Sequence, residues 1–115
     1  MAATDKLAEL QNRRCVPVPP GGAALSEQRI VDLMGALDGW VRAGGAIQKR
    51  FDFGNFHETM AFVNAVAWVA HRQDHHPDLH VGYNRCVVRY STHSVGGLSE
   101  NDFICAAHIE GLLAK

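Results

Sequence analysis

The amino-acid sequence predicts an α+β domain with the element order α-β-β-α-β-β-α, in which four antiparallel strands form one sheet and helices pack on one face. Two observations predict this fold. Two pairs of strand-like runs are each joined by a short turn, at Gly44-Gly45 in the first pair and at Tyr83–Asn84 in the second. Three apolar segments with helical spacing precede, separate and follow these pairs. Helices alternating with strand pairs favour an antiparallel sheet covered by helices.

The helices are predicted from their start signals. Ser26 can cap the first helix, and Asn55 with Glu58 has the spacing of a capping box at the start of the second. The last helix opens at Ser99 with Asp102 at its third position, so we expect Asp102 to act first as a helix cap. The second and last helices are apolar around most of their circumference. Because one sheet face cannot cover that much apolar surface, we expect a homodimer or homotetramer.

The strands are predicted from alternation of apolar and polar residues. In the run 46–53, Ile47, Phe51 and Phe53 share one face, and Lys49 breaks the alternation. The last run alternates in the same way, with three apolar residues on one face: Cys86, Val88 and Tyr90. Each run can therefore present one apolar face to a core.

Residues 1–24 are predicted to be an N-terminal extension and 25–115 a single domain. Residues 1–14 are polar with at most a short helix, and the run 15–22 has three prolines and two glycines, which is typical of an irregular arm. The 115 residues fit one domain. A formal net charge of -1 gives no field for polyanions, which argues against direct nucleic-acid binding.

The cellular setting is predicted from cysteines and from apolar runs. Cys15, Cys86 and Cys105 are odd in number and lack a C-x-x-C pair, which favours reduced thiols over a disulfide framework. The first residues lack the apolar run of a signal peptide, and no stretch reaches the ~18 apolar residues of a membrane span. We therefore expect a cytoplasmic protein with no membrane contact.

Four of the seven histidines fall within ten residues, in the stretch "HRQDHHPDLH". One interpretation is a metal site, but adjacent His75 and His76 tend to diverge. His71 and His75 have the i, i+4 spacing of helical metal ligands, but we expect the helix to end between them. A second is a solvated cluster at the negative end of a helix dipole. A third is acid–base chemistry, because imidazole gains and loses protons near neutral pH. The predicted hairpin returns the chain so that His93, in "STH", comes near "DHHP".

The segment "DHHPDLHVGYNRCVVRYSTHSVGGLSENDF" resembles the core signature of the pterin-4a-carbinolamine dehydratases. In that family H-H-P is followed by an aromatic residue, by a histidine in S-T-H and by an aspartate in the last helix. The corresponding residues here are His75, His76, Pro77, Tyr83, His93 and Asp102. The resemblance extends over roughly residues 13–113, including "LDGW" and the arm "CVPVPPGG".

The resemblance implies dehydration of 4a-hydroxytetrahydropterin, the by-product of aromatic amino acid hydroxylases, to quinonoid dihydropterin, with no cofactor and no metal. It implies His75, His76 and His93 as the catalytic set, without deciding which is acid and which is base. It also implies contacts between the pterin and five further residues: His71, Asp74, Pro77, Ser91 and Thr92. Of these, Asp74 would orient a histidine, and His71 takes the place of a polar residue that the family often has four positions before H-H-P.

Two departures from the family concern positions beside the histidines. Leu79 stands where many members have a bulky aromatic residue, and Val95 stands where some have a cysteine. Two other functions stay open. The same family includes a dimerisation cofactor of a homeodomain transcription factor, so the chain could be a non-catalytic binding module. It could also be a histidine-based metal-binding module.

Overall fold

The computed structural model describes residues 3–113, with side chains from residue 5 onwards, and confirms the predicted α+β fold. The elements run in the following order: α1 (Ala3–Gln11), α2 (Glu27–Met34), β1 (Val41–Ala43), β2 (Ala46–Asp52), α3 (Phe56–Gln73), β3 (Asp78–Val81), β4 (Arg85–Tyr90) and α4 (Glu100–Leu113). A short 3-10 turn, His93–Val95, lies between β4 and α4. The predicted order α-β-β-α-β-β-α corresponds to α2 through α4, and α1 precedes it.

The four strands form one antiparallel sheet in the order β1-β2-β4-β3. One face carries the predicted apolar residues of β2 and β4, which join the helices in a single core. The opposite face is polar and open. Lys49 lies on the core side, where its Nζ is 5.1 Å from the centroid of the Phe51 ring and donates to a Glu110 carboxylate oxygen at 2.9 Å. The ammonium group thus has a partner although it interrupts an apolar stripe.

Helix α4 is buried over most of its length, and its last residues, including Leu112 and Leu113, are exposed. Its side chains from Asn101 to Ala107, and Ile109, are all buried, because α1 and α3 both pack against it. Leu10 of α1 is only 3% exposed and belongs to the same core. Most of the apolar surface of α4 is therefore covered within one chain, partly by the N-terminal extension. The expectation of an oligomer then depends mainly on the exposed apolar residues of α3.

Helix α3 delivers the chain to the histidine cluster. The Asn55 side chain accepts a hydrogen bond from the Glu58 amide at 2.8 Å, as the capping pattern predicts. The Glu58 side chain in turn accepts a hydrogen bond from the Gly54 amide at 3.1 Å. At the other end Asp74 adopts φ 50°, the left-handed conformation that closes a helix, and its amide donates to carbonyls of the last turn. The chain then turns away from the helix into β3. No helix in residues 3–113 is long and apolar enough to cross a membrane.

Candidate active site

His75, the first histidine after α3, is held by contacts on both ring and backbone. Its Nε2 lies 2.6 Å from Oδ1 of Asp102 in α4. Its ring stacks on Tyr90 with 5.2 Å between centroids, and the Tyr90 hydroxyl donates to the His75 carbonyl at 3.1 Å. Burial raises the pKa of the Tyr90 hydroxyl well above its ordinary value, so Tyr90 remains a neutral donor. These contacts fix the position of the imidazole.

Asp102 is fully buried, and its carboxylate accepts hydrogen bonds from three groups. Besides His75, the donors are the Thr92 hydroxyl at 2.8 Å and the Ser99 amide at 2.9 Å. The Ser99 contact is the cap that the sequence predicts. The His75 contact comes in addition, so one carboxylate both starts α4 and orients an imidazole.

This carboxylate assigns the protonation pattern of His75. Since a carboxylate accepts hydrogen bonds, the Nε2 that faces Asp102 carries the proton in the neutral ring. Nδ1 is then the nitrogen with which His75 can accept a proton or bind a ligand. A carboxylate in this position relative to an imidazole fixes the tautomer of the ring, as it does for catalytic histidines in other proteins.

Thr92 has no free polar group for a ligand, although the sequence suggested that it binds one. Its hydroxyl donates to Asp102 and accepts from the Ser99 hydroxyl at 2.7 Å. Its amide donates to the Gly97 carbonyl at 2.8 Å, and its own carbonyl accepts from the amides of Val95 and Gly97. The contacts of Thr92 therefore position Asp102.

The strand register brings the two histidine motifs to one end of the sheet. Asp78 of β3 pairs with Arg89 of β4, so residues just before Asp78 and just after Arg89 lie at the same end. His76 and His93 are both exposed there, while Pro77 and Ser91 are half-buried beside them. The prediction that the hairpin returns "STH" towards "DHHP" is confirmed.

A cleft of about 300 Å³ opens beside His75. Asp74, Thr92 and Ser94 line it together with residues of the N-terminal arm. The side chain of exposed Asp74 lies at this cleft, but the carboxylate that contacts a site histidine is Asp102. The reason is local: Asp74 takes the helix-ending position, and His75 turns its ring inward, towards α4.

Two histidines of the cluster lie elsewhere. His71 is exposed on α3, with its ring 6.4 Å from that of Trp68. His80 is exposed on the open face of the sheet. Tyr83 lies in the β3–β4 turn, where its ring stacks on Phe56 at 6.4 Å. Within the described chain, no three His, Cys, Asp or Glu side chains are grouped so as to hold a metal ion.

The amino-acid sequence is similar to that of one protein family and of its curated members. A family model described as "Pterin 4 alpha carbinolamine dehydratase" matches residues 23–112. A Nitrosospira multiformis protein named "Putative pterin-4-alpha-carbinolamine dehydratase" is 56% identical over 104 residues, which are 90% of this chain and 92% of that protein. A protein of the same name from Xanthomonas campestris is 53% identical over 108 residues, 92% of each chain.

A similar fold occurs in a solved structure from Brucella melitensis, described as a transcriptional coactivator/pterin dehydratase. It superposes with a TM-score of 0.74 at 33% identity and covers 79% of this chain and 99% of its own.

Proposed function

The chain belongs to the pterin-4a-carbinolamine dehydratase family, and from this premise we propose that it dehydrates 4a-hydroxytetrahydropterin to quinonoid dihydropterin by histidine acid–base catalysis. The observation that carries the proposal is the hydrogen-bonded series His75–Asp102–Thr92 beside a cleft, at the sheet end where His76 and His93 also lie. A binding module that needs no proton transfer has no use for a buried carboxylate that fixes one histidine tautomer.

The reaction requires two proton transfers and no change of oxidation state. The bond between C4a and its hydroxyl oxygen breaks as an acid protonates the departing oxygen, which leaves as water. A base removes the proton from N5, and the electron pair of that N–H bond forms the C4a–N5 double bond. Groups that exchange protons near neutral pH suit both transfers.

We assign these transfers to His75, His76 and His93 together. His75 is oriented by Asp102, so it presents Nδ1 as an acceptor or, when protonated, as a donor. His76 and His93 are exposed, so they can exchange protons with water between turnovers. The proposal does not specify which of the three histidines acts as the acid and which acts as the base. Asp74, which lines the cleft, and Ser91, at the same sheet end, are proposed to contact the pterin, with Pro77 shaping the turn.

A stopped-flow assay with freshly generated 4a-hydroxytetrahydropterin tests this function directly. We expect the protein to accelerate loss of the 4a-hydroxy compound over the buffer reaction between pH 6 and 8. Dialysis against EDTA should leave the rate unchanged, since the proposal needs neither metal nor cofactor. Turnover equal to the buffer reaction across that range would reject the dehydratase, and stoichiometric zinc lost together with activity would favour a metal-dependent enzyme.

A homo-oligomer remains part of the proposal, with α3 as the surface that we expect to be covered. Phe56 and Trp68 of α3 are 49% and 59% exposed, although each is a large apolar side chain. A second copy of this chain would cover them. Light scattering should give a dimer or tetramer mass, and Trp68→Glu should lower it. The control Val31→Glu, on exposed α2, should not.

A binding role is the second candidate, because the Brucella relative is described as a coactivator as well as a dehydratase. It would use the same helical surface, with or without catalysis. For the enzymatic function, we propose that the protein works in the cytoplasm and recycles the pterin that an aromatic amino acid hydroxylase uses. Faster hydroxylase turnover with recycled pterin on adding this protein would support the enzyme, and a catalytically inert protein would favour the binding role.

A further inference from the structure

The N-terminal arm, Cys15–Gly22, directly precedes the residues that the family model matches, 23–112. It is fixed to the domain by backbone hydrogen bonds. The Val16 amide donates to Oδ1 of Asn101 at 3.1 Å, and Nδ2 of Asn101 donates to the Val16 carbonyl at 2.7 Å. The Cys15 amide donates to the Gln73 side chain at 2.8 Å. The arm is therefore attached to the end of α3 and to the first turn of α4.

Asn101 makes this attachment specific. It is only 6% exposed, and both polar atoms of its side chain pair with one residue of the arm, as a neighbouring strand would. Buried amide groups need such partners. Asn101 also directly precedes Asp102, so the residue that fixes the arm is next to the residue that orients His75.

The far end of the arm lies against the turn that carries His93. A Cβ built on Gly22 would come 3.6 Å from Cγ1 of Val95 and 3.1 Å from the Pro19 carbonyl oxygen. The Gly22 amide donates to that same carbonyl at 3.0 Å, so the arm turns tightly here. Beyond the arm, the Leu25 amide donates to the Leu98 carbonyl at 2.9 Å. The arm thus passes from the end of α3, before His75, to the turn that holds His93.

Between these attachments, Val16, Pro17 and Val18 line the cleft that His75 and Asp74 also line. The arm contributes apolar side chains to the lining, and the residues from the rest of the domain that line the cleft are polar. A cleft of about 300 Å³ is at the lower end of the size of small-molecule sites. A flat bicyclic heterocycle with polar edges suits such a cleft, because its face needs apolar contact and its edges need hydrogen bonds.

We propose that the arm forms a wall of the pterin site, with Val16–Val18 packing on the ring and Asn101 acting as the positioning residue for the arm. This inference rests on the proposed function, because it takes the occupant of the cleft to be the pterin. It assigns substrate binding to a segment that precedes the residues matched by the family model. Val16, Pro17 and Val18 should affect binding of the pterin more than the chemical step, since their side chains carry no group that exchanges protons.

The test compares two exposed valines in the full-length protein. Val16 is 65% exposed and Val31, on α2 away from the cleft, is 62% exposed, so Val31→Ser is a matched control for Val16→Ser. We expect Val16→Ser to raise KM about fivefold to tenfold, the effect of a lost apolar contact, with kcat within about twofold. Val31→Ser should change neither constant. The dissociation constant of a stable 7,8-dihydropterin, measured by fluorescence quenching, should rise in parallel with KM.

The positioning role of Asn101 has its own measurement. Asn101→Ala should raise KM as Val16→Ser does and leave kcat nearly unchanged, and the double variant should be little worse than either single variant, because both disturb the same wall. A fall in kcat with KM unchanged would show instead that Asn101 acts through Asp102, and would overturn its positioning role.

The outcomes separate the arm from the proposed function. If the wild type accelerates dehydration but Val16→Ser matches it in KM and dihydropterin affinity, the arm proposal fails and the dehydratase stands. Equal losses in Val16→Ser and Val31→Ser would also overturn it. If the wild type does not accelerate dehydration, the proposed function fails, and the dihydropterin affinities of the two variants still decide whether the arm is a wall of a pterin site.

Discussion

Replacing Asp102 by asparagine should reverse the tautomer of His75. The Ser99 amide and the Thr92 hydroxyl both donate to Oδ2, so the single amide oxygen of asparagine should take that position. The amide nitrogen then faces Nε2 of His75 as a donor, where the carboxylate oxygen was an acceptor. His75 can keep the contact only if Nε2 loses its proton and Nδ1 carries one. Nδ1, the atom that we propose exchanges a proton with the pterin, would no longer be an acceptor.

The expected losses differ for activity and for stability. In the serine-protease triad, the same change of the histidine's carboxylate to an amide lowers kcat about 10⁴-fold, and general acid–base groups contribute roughly 10²–10⁴-fold. Because His76 and His93 remain, we expect the acceleration over buffer to fall by about 10²-fold or more. Two hydrogen bonds to a charged acceptor become bonds to a neutral one, at roughly 1 kcal/mol each. The free energy of unfolding should therefore fall by about 2 kcal/mol, which leaves the domain folded.

Three measurements on Asp102→Asn check this reasoning. Stopped-flow absorbance gives the rate, urea denaturation gives the stability, and ¹⁵N NMR of the imidazole shows which nitrogen of His75 carries the proton. Ser99→Ala is the matched control, because it removes the hydroxyl that donates to Thr92 but leaves all three donors to Asp102. It should cost about 1 kcal/mol and keep the wild-type rate. A variant Asp102→Asn with the wild-type rate, or with the proton still on Nε2, would refute the role of Asp102.

Three further results are expected. His76→Ala and His93→Ala should each lose most of the rate acceleration in the stopped-flow assay, whereas His80→Ala, on the open face of the sheet, should retain it; equal losses in all three would contradict the site. The Cys15 thiol is half-buried, and its hydrogen bond with the Cys105 thiol lowers its pKa. Iodoacetamide should therefore alkylate Cys15 at neutral pH before it alkylates the two buried thiols, as measured by mass spectrometry. Earlier alkylation of a buried thiol would contradict the preferred reactivity of Cys15. Hydrogen bonds from arginines lower the pKa of Glu100 in the folded state. The ionised Glu100 therefore stabilises the fold above the unfolded pKa of about 4.3, and this stabilisation is lost as the pH falls through the folded pKa. Urea titrations at pH 5 and pH 3 should show a larger loss of stability in the wild type than in Glu100→Gln.

The sequence determined the fold because the signals for it are local. Caps at Ser26 and Asn55 and the alternation of β2 and β4 each depend on residues a few positions apart. The two-strand hairpin also set where the histidine motifs meet, since the β3–β4 turn is short and its register follows from it. The sequence alone therefore places His75, His76 and His93 at one end of the sheet.

Other features depend on contacts between distant parts of the chain. The sequence suggested Asp74 as the carboxylate that orients a histidine because it is adjacent, yet Asp102 makes that contact across 27 positions. Its capping pattern with Ser99 was a sufficient local explanation, and it concealed the second role. Thr92 similarly has polar groups that the sequence offers to a ligand, and only the folded chain shows that its neighbours use them.

What the sequence by itself determined is the order of elements, their apolar faces and the meeting of the two histidine motifs, because propensity, capping and short turns act over neighbouring residues. What only the tertiary structure decided is which partner each buried polar group finds: Asp102 for His75, Asn101 for the arm, and α1 as a cover for α4. A buried polar group must be paired, but its partner across the core depends on how the helices and the sheet pack. The residue periodicity of a single helix or strand does not indicate that partner.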